Sequence, residues 1–315
     1  MDNDTVVREM ALPDVFAAQE VLQRAFGEEQ RQRTGRLASP PFGAHLARQR
    51  FQKEPLGAFV ALRGGRVVGC AFSVRWGALA WFGPLAVAPE AQGLGIATRL
   101  VEAVQARWRR SRVRTWGLET GADSAKHIHL YSKLGYLPLS VGVSFQADAG
   151  ADTLPRGYSV ARFGELSFGE RDAALKHVRR IANELVRGLD PSIEVTSALE
   201  SQVGDAVLVS DRRSLVAFAV AHWAPLLRAA DVIAVPVAAV SRRGGTRAFA
   251  ALLRGLRTLA LERQQSRVWV RVAGRRIRAQ EVLRREGFRE DAAMLRMKRG
   301  PDEERAAQLL LDSWL

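Results

Sequence analysis

The stretch that invites chemistry is Gln92-Gly93-Leu94-Gly95. It lies between an apolar run, "ALAWFGPLAV" (78–87), and apolar residues at helical spacing, Ile96, Leu100, Val104 and Trp108. The start of a helix leaves several backbone N–H groups unpaired and carries roughly half a positive charge. Glycines at such a junction let a diphosphate come close to those donors. Gln92, Gly93, Leu94, Gly95, Ile96, Ala97 and Thr98 therefore form a candidate anion cradle, with a merely tight turn as the plainer alternative.

A dinucleotide fingerprint is a rival reading. It needs a third glycine where Thr98 stands, and it turns directly off its strand, where this sequence interposes Pro89. Glu119, near the end of "VRTWGLET" (113–120), would suit that reading as a ribose-binding acid. A Walker loop is excluded because no Gly-Lys-Ser/Thr follows. His127 and His129 stand two apart on a helical stretch, so they point about 200° apart and cannot share a metal. Cys70 is the single cysteine, which excludes intrachain disulfides and thiolate metal clusters. No metal site is expected.

The elements that must position these residues occur twice in one order. "TVVRE" (5–9) is a strand candidate, and Val15, Ala18, Leu22 and Phe26 mark a helix. A polar loop and a second helix candidate, "GAHLARQRFQKE" (43–54), follow; residues 27–55 are read as specificity loops with no decisive pattern. Strands "GAFVAL" and "RVVGCAFSV" flank the Gly64-Gly65 turn signal. Then come the strand and glycine stretch, a helix, the strand 113–120, the helix "SAKHIHLYSKLGY" and the strand "LPLSVGVSFQ".

"AGADTLPRG" (149–157) reads as a linker. Beyond it, Ser167 and Glu170 form a capping box, and Ala174, Val178, Ile181 and Leu185 continue a helix face. "DAVLVS" and "LVAFAVAHW" pair as a hairpin, "DVIAVPVAAV" supplies the next strand, and a helix, strand, helix and strand complete the list. Ser-Arg-Val recurs at 111 and 266, and a Gly-aromatic pair at 135–136 and 287–288. Two copies of one α/β unit are expected, residues 1–148 and 158–315. The closing segment "RAAQLLLDSWL" is read as a helix that docks on the body or on a second copy in a homodimer.

The pattern Val-x-Pro-Glu-x-Gln-Gly-x-Gly-x-Ala (87–97) resembles the acetyl-CoA signature of the GNAT superfamily of N-acetyltransferases, with Gln92, Gly95 and Ala97 in its specified slots. "LYSKLGY" (130–136) is similar to the family's helix-to-strand motif, and the element order over residues 5–146 also matches. The resemblance implies a mixed, mostly antiparallel central sheet flanked by helices, here as two tandem GNAT-like domains. It implies that pantetheine enters a gap beside the strand before the loop, pairing with Leu85, Ala86 and Val87, while residues 92–98 hold the pyrophosphate. Pro84, which cannot complete a ladder, fits a place where pairing is broken, or a simple bulge.

The resemblance further implies acetyl transfer to a primary amine by direct attack on the thioester. Tyr131 falls in the family's acid slot, where its hydroxyl would protonate the departing thiolate. A strand N–H near Leu85 would serve the oxyanion. Many relatives carry a base glutamate on the strand before the loop, and this sequence has none there. Glu119 is the first candidate, then Glu28 or Glu29, or a water chain. Ser124 occupies a cofactor-contact slot often held by asparagine. A non-catalytic acyl-CoA-binding or regulatory protein is the alternative.

The repeat tests itself. Arg242 and Gly245 match the loop in the second copy, but Arg247 falls where a small residue is needed, and Leu283 stands where the first copy has Tyr131. The second copy is therefore read as degenerate.

Composition sets the remaining bounds. The 315 residues carry a net charge of +14, and all but five of the 47 basic residues are arginine. Such a surface attracts anions, yet excess charge mostly ends as solvated surface, and nucleic acid is not the expected partner. A small-molecule or peptide amine is. No apolar run is long enough to span a membrane. The acidic "MDNDTVVREM" is unlike a signal peptide, so a cytoplasmic protein is expected.

Overall fold

The computed structural model describes residues 4–35, 42–224, 226 and 231–314. In the first half these form β1 (Thr5–Glu9), α1 (Val15–Thr34), α2 (Leu46–Lys53), β2 (Phe59–Arg63), β3 (Arg66–Trp76), β4 (Leu79–Val87), α3 (Ile96–Arg109), β5 (Thr115–Thr120), α4 (Ala125–Lys133) and β6 (Leu137–Asp148). The second half supplies β7 (Tyr158–Arg162), α5 (Phe168–Leu185), α6 (Ser192–Glu200), β8 (Gly204–Asp211), β9 (Leu215–His222), β10 (Val232–Val235) and β11 (Val237–Val240). It ends with α7 (Gly245–Glu262), β12 (Arg267–Ala273), α8 (Ile277–Arg285), β13 (Arg289–Arg299) and β14 (Leu310–Asp312).

The fold is the mixed, mostly antiparallel α/β sheet that the element order predicts, with helices on both faces. Only β4 with β5, and β10 with β12, run parallel among the described pairs. Periodicity explains the layering. In α3, Ile96, Leu100, Val101, Val104 and Trp108 are buried, one face of a 3.6-residue repeat laid on the sheet. Burying each such side chain stabilises by about 1.5–3 kcal/mol. On the opposite face α1 and α2 bury Val15, Ala18, Leu22 and Leu46 against Val60, Cys70 and Phe72.

The two halves do not meet as separate blocks. A single sheet runs through both, in the order β1-β2-β3-β4-β5-β13-β6-β12-β10-β9-β11-β14, with β7 and β8 branching at β9. β13, from the end of the chain, lies between β5 and β6, while β6 pairs with β12. Each half thus lends its last long strand to the other.

Buried charges pin this exchange. Glu119 on β5 accepts from Arg271 of β12 at 2.5 Å and from Arg296 of β13 at 2.6 Å, all three side chains almost wholly buried. Arg276 and Arg296 both reach Asp312, and Lys298 reaches Glu304. A second cluster joins α2 to α6, where Lys53 donates to Glu194 at 2.8 Å and Trp76 Nε1 donates to the same carboxylate at 3.0 Å. Burial pushes the Lys53 ammonium down to about 8 despite that partner. Buried pairs are expensive to desolvate and more expensive to break, which suits them to fixing register.

Four sequence expectations are corrected. Residues 27–34 continue α1 instead of forming a loop. α6 was not anticipated. "DVIAVPVAAV" is two strands, because Pro236 has no N–H and interrupts the ladder. The closing segment is not a helix: residues 310–312 are β14, paired with β11. A run of three leucines suits strand or helix locally, and an unfilled strand position decides it. Among the described residues no helix is long and apolar enough to cross a membrane.

Candidate functional site

The site begins where β4 and β5 part. They pair at Leu79–Thr115, Ala80–Trp116 and Trp81–Gly117, and there the ladder stops. From Phe82 to Val87, β4 keeps partners on β3 alone, with an irregularity opposite Gly83 and Pro84. Pro84 therefore sits both at a bulge and at the point where pairing breaks. Backbone groups of Leu85, Ala86 and Val87 border the resulting cleft, where an extended ligand can add itself as a strand.

At the head of the cleft stands the glycine turn. Gly93 and Gly95 have φ of 81° and 77°, in the left-handed region that glycine adopts without cost. A Cβ on either would meet no protein atom within 4 Å, so the space above both is open. Gly95 caps α3. Among the described residues, the N–H groups of Gly93, Leu94, Gly95, Ile96, Ala97 and Thr98 find no protein acceptor. Six bare donors around one helix end are an arrangement that can receive an anion. Gln92 does a different job: its amide donates to Val87 O at 3.2 Å and accepts from Lys126 Nζ at 3.0 Å. Lys126, on the first turn of α4, brings a cation to the cradle. Sequence reasoning missed it, although it is one of only five lysines.

Tyr131 is buried on α4, its ring edge-on to Phe82 at 5.7 Å and to Tyr136 at 6.2 Å. Burial, and secondarily the charge of Glu29, push its hydroxyl above the usual tyrosine range, so it stays protonated at neutral pH. Glu29 lies on the last turns of α1, 3.9 Å from His127 Nδ1. Ser124 Oγ is 2.8 Å from the same nitrogen. Tyr131, Glu29, His127 and Ser124 thus gather where α1 meets α4. Glu28 instead accepts from Arg31 and Gln32 along its own helix.

Glu119 is not with them. Both its oxygens are held by Arg271 and Arg296 in the buried seam between the halves. The two arginines stabilise this carboxylate as the anion and hold it in the seam, which makes it a poor acceptor for an amine's proton. Trp76 and Trp81 are core residues, ring to ring at 5.7 Å, and Trp116 packs on Trp108. No group of His, Cys, Asp and Glu among the described residues is arranged to hold a metal.

The corresponding junction of the second half differs in kind. There Arg242 N donates to Glu184 at 3.2 Å, and Gly244 N and Gly245 N donate to Ser241 O. Arg247 turns away to Arg156 O at 3.4 Å. Part of the donor set left bare in the first half is thus spent internally in the second, at Gly244 and Gly245, and Leu283 is buried in an apolar core.

Residues 19–136 match the model of the acetyltransferase (GNAT) family. No curated protein matches the chain. Among solved structures, an acetyltransferase-like protein of Pyrococcus horikoshii is similar with a TM-score of 0.71 and 14% identity, over 100% of this chain and 96% of that one. A GCN5-related N-acetyltransferase of Sphaerobacter thermophilus gives 0.63 and 15%, over 96% and 98%. A tandem GNAT protein from the clavulanic acid biosynthesis pathway gives 0.57 and 16%, over 95% and 99%. At these identities the likeness is one of fold, and it runs the length of both halves.

Proposed function

We propose that this chain, whose first half is a GNAT-family domain in a tandem GNAT-like protein, is an acetyl-CoA-dependent N-acetyltransferase working at the cleft between β4 and β5. The observation that carries the reading is the bare helix end at residues 93–98, six unspent donors beside an open strand edge. A diphosphate satisfies the first and a pantetheine amide chain the second. The acyl acceptor is a primary amine of a small molecule or peptide.

In this reading the amine nitrogen attacks the thioester carbonyl, and the oxyanion is held by a β4 backbone N–H near Leu85. The C–S bond breaks, and the Tyr131 hydroxyl gives its proton to the sulfur. Its raised pKa keeps that proton in place beforehand. The amine's own proton goes to Glu29, whose charge Tyr131 already senses, directly or through a water. Glu119 has no part in this.

The bound state of Glu119 favours a second reading, a non-catalytic acyl-CoA-binding protein, since no carboxylate on the cleft's own strands is free. One assay separates the two: thiol release from acetyl-CoA over a panel of amines, beside calorimetric binding. Binding with transfer to at least one amine supports the enzyme. Binding without transfer across amino acids, polyamines, amino sugars and peptides supports the second reading. No binding sinks both.

A further inference from the structure

In the first half the strands part after Trp81 and leave a cleft. In the second half they part at the same place: β10 pairs in parallel with β12 through Val235–Val270, and after Pro236 the chain leaves as β11. That second cleft is filled. β14 lies antiparallel on β11, with Val237–Asp312, Ala238–Leu311 and Ala239–Leu310 opposite one another, and contacts β12 on its other side. Ser313 N donates to Pro236 O at 2.9 Å and Val240 N donates to Leu309 O at 3.0 Å, extending the ladder at both ends.

We propose that β14 is a built-in occupant of the second coenzyme slot, standing where pantetheine would lie, so that each chain loads one acetyl-CoA and never two. The claim rests on the coenzyme reading of the first half.

Three features make the occupancy permanent. Leu309, Leu310 and Leu311 are all buried, and their side chains enter the two cores of the second half. Asp312 is clamped by Arg276 and Arg296, so leaving the slot would strand buried charge. Trp314 goes further, packing beneath Gly117 of β5, where a Cβ would collide with its ring. The neighbouring loop matches this sealed state. The amides of Arg242, Gly244 and Gly245 are taken by Glu184 and Ser241, so it offers a diphosphate fewer donors than the first half does. Binding an external strand here would require removing an internal one already paired at effectively unlimited local concentration.

Two measurements on the full chain test the proposal. Acetyl-CoA titrated calorimetrically should saturate at one equivalent per chain. Two equivalents overturn the proposal, and none removes the coenzyme reading together with the idea of a surrogate. Native-state hydrogen exchange needs no coenzyme and judges the seating alone. The Leu311 and Ser313 amides should exchange as slowly as those of β9. Exchange at the rate of a frayed terminus overturns the proposal even if the stoichiometry is one. A chain ending at Gln308 supplies the reverse experiment. A synthetic peptide of residues 306–315 should raise its thermal midpoint, while a scrambled peptide should not; equal effects of the two count against a specific slot.

Discussion

The two strand–loop–helix junctions, residues 79–98 and 232–247, share one order of elements and differ in their hydrogen bonds. The first leaves its helix-end donors and one strand edge unused among the described residues. The second pairs the edge with β14 and spends the amides of Arg242, Gly244 and Gly245 on Glu184 and Ser241. Unsatisfied backbone groups are costly unless water or a ligand meets them. The two junctions differ in which groups the chain has left unpaired, and hardly in fold at all.

Mutations can break or sharpen that contrast. The largest effect is expected at the acid position. Tyr131→Phe should lower kcat by about a hundredfold or more, the usual worth of a positioned acid, with acetyl-CoA affinity nearly unchanged. Because the folded pKa of Tyr131 is raised, wild-type kcat should show no loss attributable to this group across neutral pH, checked by a pH–rate profile. Leu283→Tyr should restore nothing.

Next comes the seam. Glu119→Gln leaves Arg271 and Arg296 facing a neutral amide and should cost about 3–5 kcal/mol in denaturant unfolding. In the protein that remains folded, the pH profile of kcat/KM should keep its shape. Loss of the basic-to-acidic inflection would instead return Glu119 to the role of base.

The glycines give a matched pair. At Gly95, φ is positive and the space beyond is open to ligand, so Gly95→Ala should weaken acetyl-CoA binding roughly tenfold or more while costing about 1 kcal/mol of stability. At Gly245, φ is also positive and the same substitution should cost similar stability with no change in coenzyme affinity. Lys126→Ala should produce the smallest effect, about threefold in affinity, shrinking as salt is raised.

Acid should reach the second junction. Burial opposes ionisation of Asp312, but Arg276 and Arg296 outweigh it and hold the carboxyl well below its ordinary range. A folded pKa below the unfolded value, about 3.9, means the stabilisation is complete above that value. It is lost as pH falls through the folded one. The thermal midpoint should therefore hold down to about pH 4 and fall below it, with exchange at Leu311 and Ser313 accelerating in step.

Local features of the site were legible in the sequence because their causes are local. Glycines at a strand-to-helix junction and the amphipathic repeat of α3 each lie within a short window. The exchange of β6 and β13 was not, since it joins residues more than a hundred positions apart and leaves no periodic trace. It did leave one sign: Arg271 in "VWVRV" and Arg296 in "MLRMK" interrupt apolar strands with a charge. An arginine in such a strand asks for a buried carboxylate, and Glu119, near the end of β5, is the buried one on a strand of the first half. The reach of α1 past Phe26, which brings Glu29 to His127, is hidden for another reason: residues 27–34 are polar and carry no apolar repeat.

The exchanged strands also bear on how the chain is made. While a ribosome is still adding the second half, β6 has no neighbour until residues 267–273 emerge, and β5 has none on its outer side until residues 289–299 emerge. Pairings of such long sequence separation close late. The nascent first half must wait with an apolar strand uncovered, and synthesis of nearly the whole polypeptide precedes the completion of its first working cleft.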